Sequence, residues 1–458
     1  MKKTIIVFLL TILLASVSDA QVPSITRSIS MGYTSAASST DIDALGLNPA
    51  NIIKQRPGTN AKFIFSLVLN AGFQTKSEYL SVDFYNSYLA AENQILTDAD
   101  KQKILTEAGN EPSYGLASFR ILGAVLNSGT TGSFGLSIDE TFRGNFVIAS
   151  DVFDLALYGN LIDRTYSALG TKVDGFWVRE LNLSYANQIK AKKNSFFDQL
   201  TFGVAVKPQF GIYFLETQNN NLTISTNNQA QIFGTGNITL LYSGLTEDID
   251  FKMSTQNSGF GIGVDAGASM GISTLSKNLY LDLGLSITDI GYIKWTKNTA
   301  NYFYDGNFAI TDITDPAQRD SLKDYLKETK TPVSSFTTSL PTQVRLGGVL
   351  RILKGAHGTK DNYDLASISL DYVQGFSENL GGSTKPIVGI GFEYNIGKVV
   401  SPRAGFVFGG EVDFLATLGL GIDAGPVVFD IGTGNIASIF TPKTTTKPSV
   451  GLAMKFRI

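Results

Sequence analysis

Residues 279–288, LYLDLGLSIT, alternate without interruption: Leu279, Leu281, Leu283, Leu285 and Ile287 on one side, Tyr280, Asp282, Gly284, Ser286 and Thr288 on the other. A period of two is the signature of a β-strand. Two settings produce such a strand. A soluble sandwich buries the aliphatic face in its own core and wets the polar face. A membrane barrel turns the aliphatic face to lipid and the polar face to a lumen. The same pattern recurs along the chain. Phe260, Ile262, Val264, Ala266, Ala268, Met270 and Ile272 alternate with Gly261, Gly263, Asp265, Gly267, Ser269 and Gly271, and Val388, Ile390, Phe392 and Tyr394 alternate with Gly389, Gly391, Glu393 and Asn395. Several of these runs are longer than the five or six residues usual in soluble strands. They match the 9–11 or so residues that a tilted membrane strand needs.

The pattern predicts fourteen strands, near 62–75, 113–126, 132–142, 173–187, 199–214, 258–272, 278–293, 342–353, 363–375, 386–397, 402–409, 412–423, 426–433 and 447–458. The gaps between them run long, short, long, short over most of the chain, as a barrel with long outer loops and short periplasmic turns requires. Gly409-Gly410, a tight turn on the long side, is the exception. Segment 215–257 contains NLTISTN and NITLLYSG. These form either an outward hairpin or two more wall strands, which would make sixteen. Trp177 and Trp295 fall near the long-loop ends of their strands, where an aromatic girdle belongs. Thr97 with Asp100 opens a capped helix that stops at Gly109, and Asp315 before Pro316 opens another. Residues 151–160 read as a third. Such helices cap a barrel mouth or bind a partner.

The ends of the chain supply an address. Lys2 and Lys3, an apolar run from Ile5 to Leu14, and small residues before Gln21 read as a secretory signal peptide. The run is too short for a membrane helix, and no later stretch reaches about 18 apolar residues. An exported chain that spans a membrane without such a helix is a barrel. At the other end Val450, Leu452, Met454, Phe456 and Ile458 form the outward stripe of a terminal strand. Phe456 is its aromatic, resembling the ending that barrel-assembly machinery reads.

Composition leaves little room for catalysis. There is no cysteine, which excludes disulfides and thiol chemistry, and a net charge of −3 argues against nucleic acid. The one histidine, His357, reads as a solvated turn residue. GFGIGVDAG continues a period-two stripe with no helix after it, so it is not a dinucleotide fingerprint. The expectation is a protein that is not an enzyme and has no catalytic residues, metal or cofactor. The inward stripes carry Asp139, Glu180, Asp265, Asp282, Asp371, Glu393, Asp413 and Asp430 with Lys207, Arg345, Arg351, Arg403, Lys455 and Arg457. Near balance of sign predicts a salt-bridged lumen or a polar path without strong ion selectivity. The abundant Gly, 46 residues, reads as space left in the lumen, so that Gly284→Ser is expected to be tolerated.

Residues 30–58, SMGYTSAASSTDIDALGLNPANIIKQRPG, are too polar for a strand and too long for a tag. A small-residue lead-in ending in Asn48-Pro49-Ala50 just before the first strand resembles the N-terminal segment of the FadL-type outer-membrane barrels. The stretches LTDADKQKILTEAG (96–109) and GSFGLSIDETFRGNFVIASDVFDLALYGN (132–160) are similar to an uncharacterised family of FadL-like barrels from Bacteroidetes-type bacteria. The resemblance implies an all-β, fourteen-stranded transmembrane antiparallel barrel in the outer membrane. Its parts would be a signal peptide 1–20, a lumenal hatch 21–61 and a barrel 62–458. It implies passive uptake of a hydrophobic small molecule, fatty-acid-like or aromatic. The alternative is a non-transporting scaffold that holds a secretion or surface protein, as PorV-type relatives do. Partners on this reading are outer-membrane lipid and the assembly machinery, and no nucleic acid.

Overall fold

The computed structural model describes residues 25–56, 59–90, 95–191, 195–244, 257–276, 278–312, 328–355, 363–410 and 413–458. The signal peptide, the helix opening at Asp315 and His357 lie outside the described residues.

The stretch 279–288 settles the choice between sandwich and barrel. Its polar side is the buried one: Asp282 is 2% exposed, while Leu283 and Leu285 are 37% and 50% exposed. A protein buried on its carboxylates and open on its leucines is built for a surrounding of lipid. The inversion repeats across the wall, where Phe202, Val204 and Val206 are exposed and Thr201, Ala205 and Lys207 are buried.

Fourteen strands make the wall: β1 Phe63–Ser77, β2 Pro112–Asn127, β3 Ser133–Val147, β4 Lys172–Lys190, β5 Gln199–Asn220, β6 Gly259–Ser276 and β7 Leu279–Trp295, followed by β8 Gln343–Lys354, β9 Tyr363–Gly375, β10 Ile387–Tyr394, β11 Val400–Gly409, β12 Asp413–Asp423, β13 Val427–Thr433 and β14 Ser449–Arg457. Each pairs antiparallel with the next. β14 returns to β1 through Ile64 opposite Arg457 and Phe65 opposite Phe456, so no edge is left open. Phe65 and Phe456 stack outside that seam with centroids 5.1 Å apart.

Connections alternate in length. The intervals between wall strands are long on one side, at 78–111, 148–171, 221–258 and 296–342, and short on the other, as at 128–132 and 395–399. The soft segment resolves to fourteen wall strands. Asn237–Ser243 pairs with the outer extension of β5 and with Ala300–Asp305, above the wall. Thr223–Thr226 and Ile232–Thr235 join Arg164–Ser167 and Phe308–Ile310 in a separate four-stranded sheet. Helix Asp98–Ala108 carries the capping box of Thr97 and Asp100 and ends at Gly109, and helix Ser150–Tyr158 packs beside it.

One girdle assignment fails. Trp177 stacks on Phe142 at 4.7 Å on the outward side. Trp295, at the outer end of β7, points inward and is fully buried with Phe176, Phe214 and Leu340. Its indole N–H donates to Thr338 Oγ1 at 2.9 Å. Gly211, two strands along the wall and in register through Gly259, leaves the space it occupies, since a Cβ there would meet the indole at 2.4 Å.

Candidate functional site

Residues 25–56 lie inside the barrel. Every residue from Thr26 to Lys54 except Gly46 and Ile53 is buried. The segment touches inward side chains on strands all round the circumference. A chain this polar needs its backbone and charges satisfied there, and it uses short turns to arrange this: a helix Thr26–Ser30 and two 3-10 turns, Asp41–Ala44 and Pro49–Ile53. Asn48 caps the second turn. Its Oδ1 accepts from Ala50 N–H at 3.1 Å, and its amide donates to Ala36 O at 2.7 Å and reaches Ser269 Oγ at 3.5 Å. Pro49 sits at the first helical position, where a missing N–H costs nothing, and Asn48 is extended before it. The Asn-Pro-Ala motif is thus a fixed bend held by its own backbone and a wall serine.

All five charged residues of the segment pair with the wall. Arg27 donates to Glu393 at 3.1 and 3.2 Å, and Arg56 reaches the same carboxylate at 3.5 Å. Lys54 donates to Asp282 at 2.9 Å. Lys455 donates to both Asp41 and Asp43, at 2.7 and 2.6 Å. Burial pushes the Asp41 carboxyl above the usual aspartate range, against the pull of Lys455, and pushes the Lys54 ammonium below the usual lysine range, against Asp282. Asp371 accepts the backbone N–H groups of Ser35 and Ala36, both at 2.6 Å.

The lumen glycines have a different use from the one expected. A Cβ on Gly284 would stand 2.0 Å from Ala36 O, and one on Gly203 would stand 2.2 Å from the Pro49 carbonyl carbon. These positions admit the segment's backbone, so the expected tolerance of Gly284→Ser is corrected by the contact.

The remaining predicted lumen residues fall into linked pairs. Arg403 bridges Glu393 and Asp430 at 2.6 and 2.5 Å. Arg351 bridges Asp282 and Asp364 at 2.9 and 2.8 Å. Arg457 donates to Asp423 at 2.6 Å, and Asp265 lies 3.2 Å from Lys207. Arg345 is buried on β8. Asp413 is the exception: it is exposed at the outer rim, with φ of 60° in the tight turn after Gly409 and Gly410, and β12 reaches the lumen only at Leu415. Phe456 lies on the outward stripe.

Sequence reasoning missed Arg120. It donates to Asp139 at 2.7 Å and to the carbonyls of Ile42 and Leu45 at 2.6 and 3.0 Å, which makes it the wall's clamp on the first 3-10 turn. An arginine amid the small and apolar residues of GLASFRILGAV was the available signal.

Above the segment lies a chamber of about 180 Å³. Ile25, Thr26, Leu45 and Gly46 form its floor, and Leu340, Pro341 and Leu380 of the outer loops form its roof. Its outer part is apolar, with Leu116, Phe176 and Val178. Deeper along the same strands and their neighbours it carries Arg120, Asp139, Glu180, Lys207, Gln209 and Asp289. A vestibule of about 120 Å³ adjoins it on the outer side, sharing Phe176 and Leu380. Among the described residues no group of three His, Asp or Glu is placed to hold a metal.

Closed wall, filled lumen and outward apolar stripe together define a fourteen-stranded antiparallel β-barrel of the membrane-spanning kind. The chain belongs to the family of unknown function DUF5723, whose model matches residues 56–408. It is similar in fold to the TodX deltaS2 mutant monoaromatic hydrocarbon channel, with 11% identity, a TM-score of 0.53 and coverage of 95% of this chain and 98% of that one. The TodX deltaS2S3 mutant channel gives 11% identity and a TM-score of 0.52 over 94% and 98% of the two chains. The P. putida toluene transporter TodX gives 11% identity and a TM-score of 0.47 over 95% and 97%. No curated protein matches.

Proposed function

We propose that this protein is an outer-membrane conduit for passive uptake of hydrophobic small molecules, with residues 25–56 as its internal stop. The observation that carries the reading is the chamber: a partly apolar space between outer loops and plug, in line with a vestibule on the long-loop side. Its size favours a small ligand. An apolar cavity of about 150 Å³ holds a benzene, so the chamber suits one ring, not a whole long acyl chain. The similarity in fold to monoaromatic hydrocarbon channels supports the same direction.

The test is uptake of labelled toluene by cells whose outer membrane carries the protein. Wild type is expected to exceed cells lacking it, and Val178→Trp, which fills the chamber, to return uptake to background. Equal uptake with and without the wild-type protein overturns the reading. A protein-holding scaffold is the second reading. It is favoured by the outer loops, which fold into a four-stranded sheet of their own rather than lying flat over the mouth. On that reading, deleting 223–235 abolishes capture of a surface protein and leaves toluene uptake unchanged.

A further inference from the structure

The polar part of the chamber is not neutral in what it can still bind. Its two cations are engaged. Arg120 is held by Asp139 and by two carbonyls of the plug. Lys207 Nζ stands among three carboxylates, 2.6 Å from Asp289, 3.2 Å from Asp265 and 3.3 Å from Glu180. The lining carries Asp139, Glu180 and Asp289 against Arg120 and Lys207, one acid in excess. Behind it Asp265 and Arg345 add one charge of each sign.

An acceptor is also left over. Gln343, 5% exposed and in the chamber lining, has no hydrogen-bond partner for Oε1, an acceptor only, among the described residues; Oγ1 of Thr26, 1% exposed in the floor, is also unpaired there and as a hydroxyl can accept or donate. A buried acceptor without a donor is costly, and a ligand N–H supplies what is missing. The vestibule repeats the bias, with Asp174, Glu216 and Glu378 against Arg143. A cleft lined by one excess sign concentrates ligands of the other sign. An incoming carboxylate would meet engaged cations and surplus acids. An incoming ammonium would meet the unpaired Gln343 Oε1 and that excess of acid.

Taking the uptake reading as given, we propose that the chamber selects a compact organic cation: about one aromatic ring of apolar bulk, seated against Phe176, Val178 and Leu116, with a protonated amine directed at Glu180 and Gln343. A fatty-acid-like anion is discriminated against.

The experiment measures equilibrium binding of benzylamine, benzyl alcohol and benzoate to the purified full-length barrel in detergent. The same barrel with Val178→Trp serves as the baseline for micelle partitioning. Benzylamine is expected to bind about tenfold or more tightly than either of the others, the scale of one hydrogen bond to a charged group. Glu180→Gln keeps the shape and its contact with Gln209; it is expected to remove about that factor for benzylamine and leave benzyl alcohol unchanged. Benzyl alcohol binding as tightly as benzylamine, or benzoate binding best, overturns the cation proposal and leaves the uptake reading standing. Binding of none of the three above the Val178→Trp baseline overturns both. The ranking on wild type decides the matter even where Glu180→Gln fails to assemble.

Discussion

Lys54 donates to Asp282 at 2.9 Å, and this ion pair joins the segment inside the barrel to the strand whose alternation first betrayed the fold. Asp282 also accepts from Arg351, which continues to Asp364. Removing one member of a buried pair strands the other, at about 3–5 kcal/mol. Asp282→Leu is expected to cost that much in resistance to denaturant, and Asp282→Leu with Lys54→Met to recover most of it. A double variant no more stable than Asp282→Leu would show that the pair is not coupled.

Gly284→Val places atoms where Ala36 O now lies, 2.0 Å from the glycine's missing Cβ. The wall is expected to close normally, with unchanged heat-modifiable mobility, while residues 34–38 are displaced and conductance in planar bilayers rises several-fold. Gly348→Ala, whose nearest neighbour would be the mobile Leu283 Cδ2 at 3.3 Å, is the contrast and should behave as wild type.

Leu283→Arg puts a charge on the lipid face of β7, where Leu283 is 37% exposed. Near the bilayer midplane that costs roughly 2–4 kcal/mol in a barrel. Reduced assembly is expected, read from the fraction that shifts on heating in a gel.

Deleting residues 456–458 removes the Phe65–Phe456 stack, and with Arg457 and Ile458 much of the inner-end pairing that closes β14 on β1. A sheet with two open edges has no stable place in lipid. Such a protein is expected in the periplasm, aggregated or degraded; its recovery in the outer membrane as a folded barrel would contradict the closure argument.

Deleting residues 24–56 removes the plug but no wall strand. The fourteen strands are expected to assemble and conduct. A deleted form that folds and conducts no better than the intact protein would mean that the outer loops, not the plug, are the barrier.

The fourteen wall strands were legible because lipid and lumen write opposite demands on alternate residues, and a long strand repeats the message many times. Thr223–Thr226 and Ile232–Thr235 carry no such message; they meet neither lipid nor lumen, and a four-residue strand is ambiguous in any register. Trp295 misled for a related reason: its position along β7 was right, but phase, not height, decides whether a ring faces lipid. The inward charges could be assigned a side but not partners. Lys455 finds Asp41 and Asp43 only because the segment crosses the lumen at that point, and nothing in the spacing of residues 41 and 455 encodes the crossing. Asp413 kept the right phase and still missed, because as the first residue of β12 it stands at the rim, one step above the lumen that Leu415 and Thr417 reach.

β14 does two things at once. It zips against β1, and it carries Lys455, the anchor of Asp41 and Asp43. The last wall strand therefore fastens the segment that precedes the first. With glycine backbones packed against the segment, no bore remains through which it could be threaded afterwards. The wall must curl around a guest already in place. Timing is thus written into the architecture: a pause before the last zip leaves β1 as a raw edge, and leaves Lys455 and both of its aspartates waiting in water for each other.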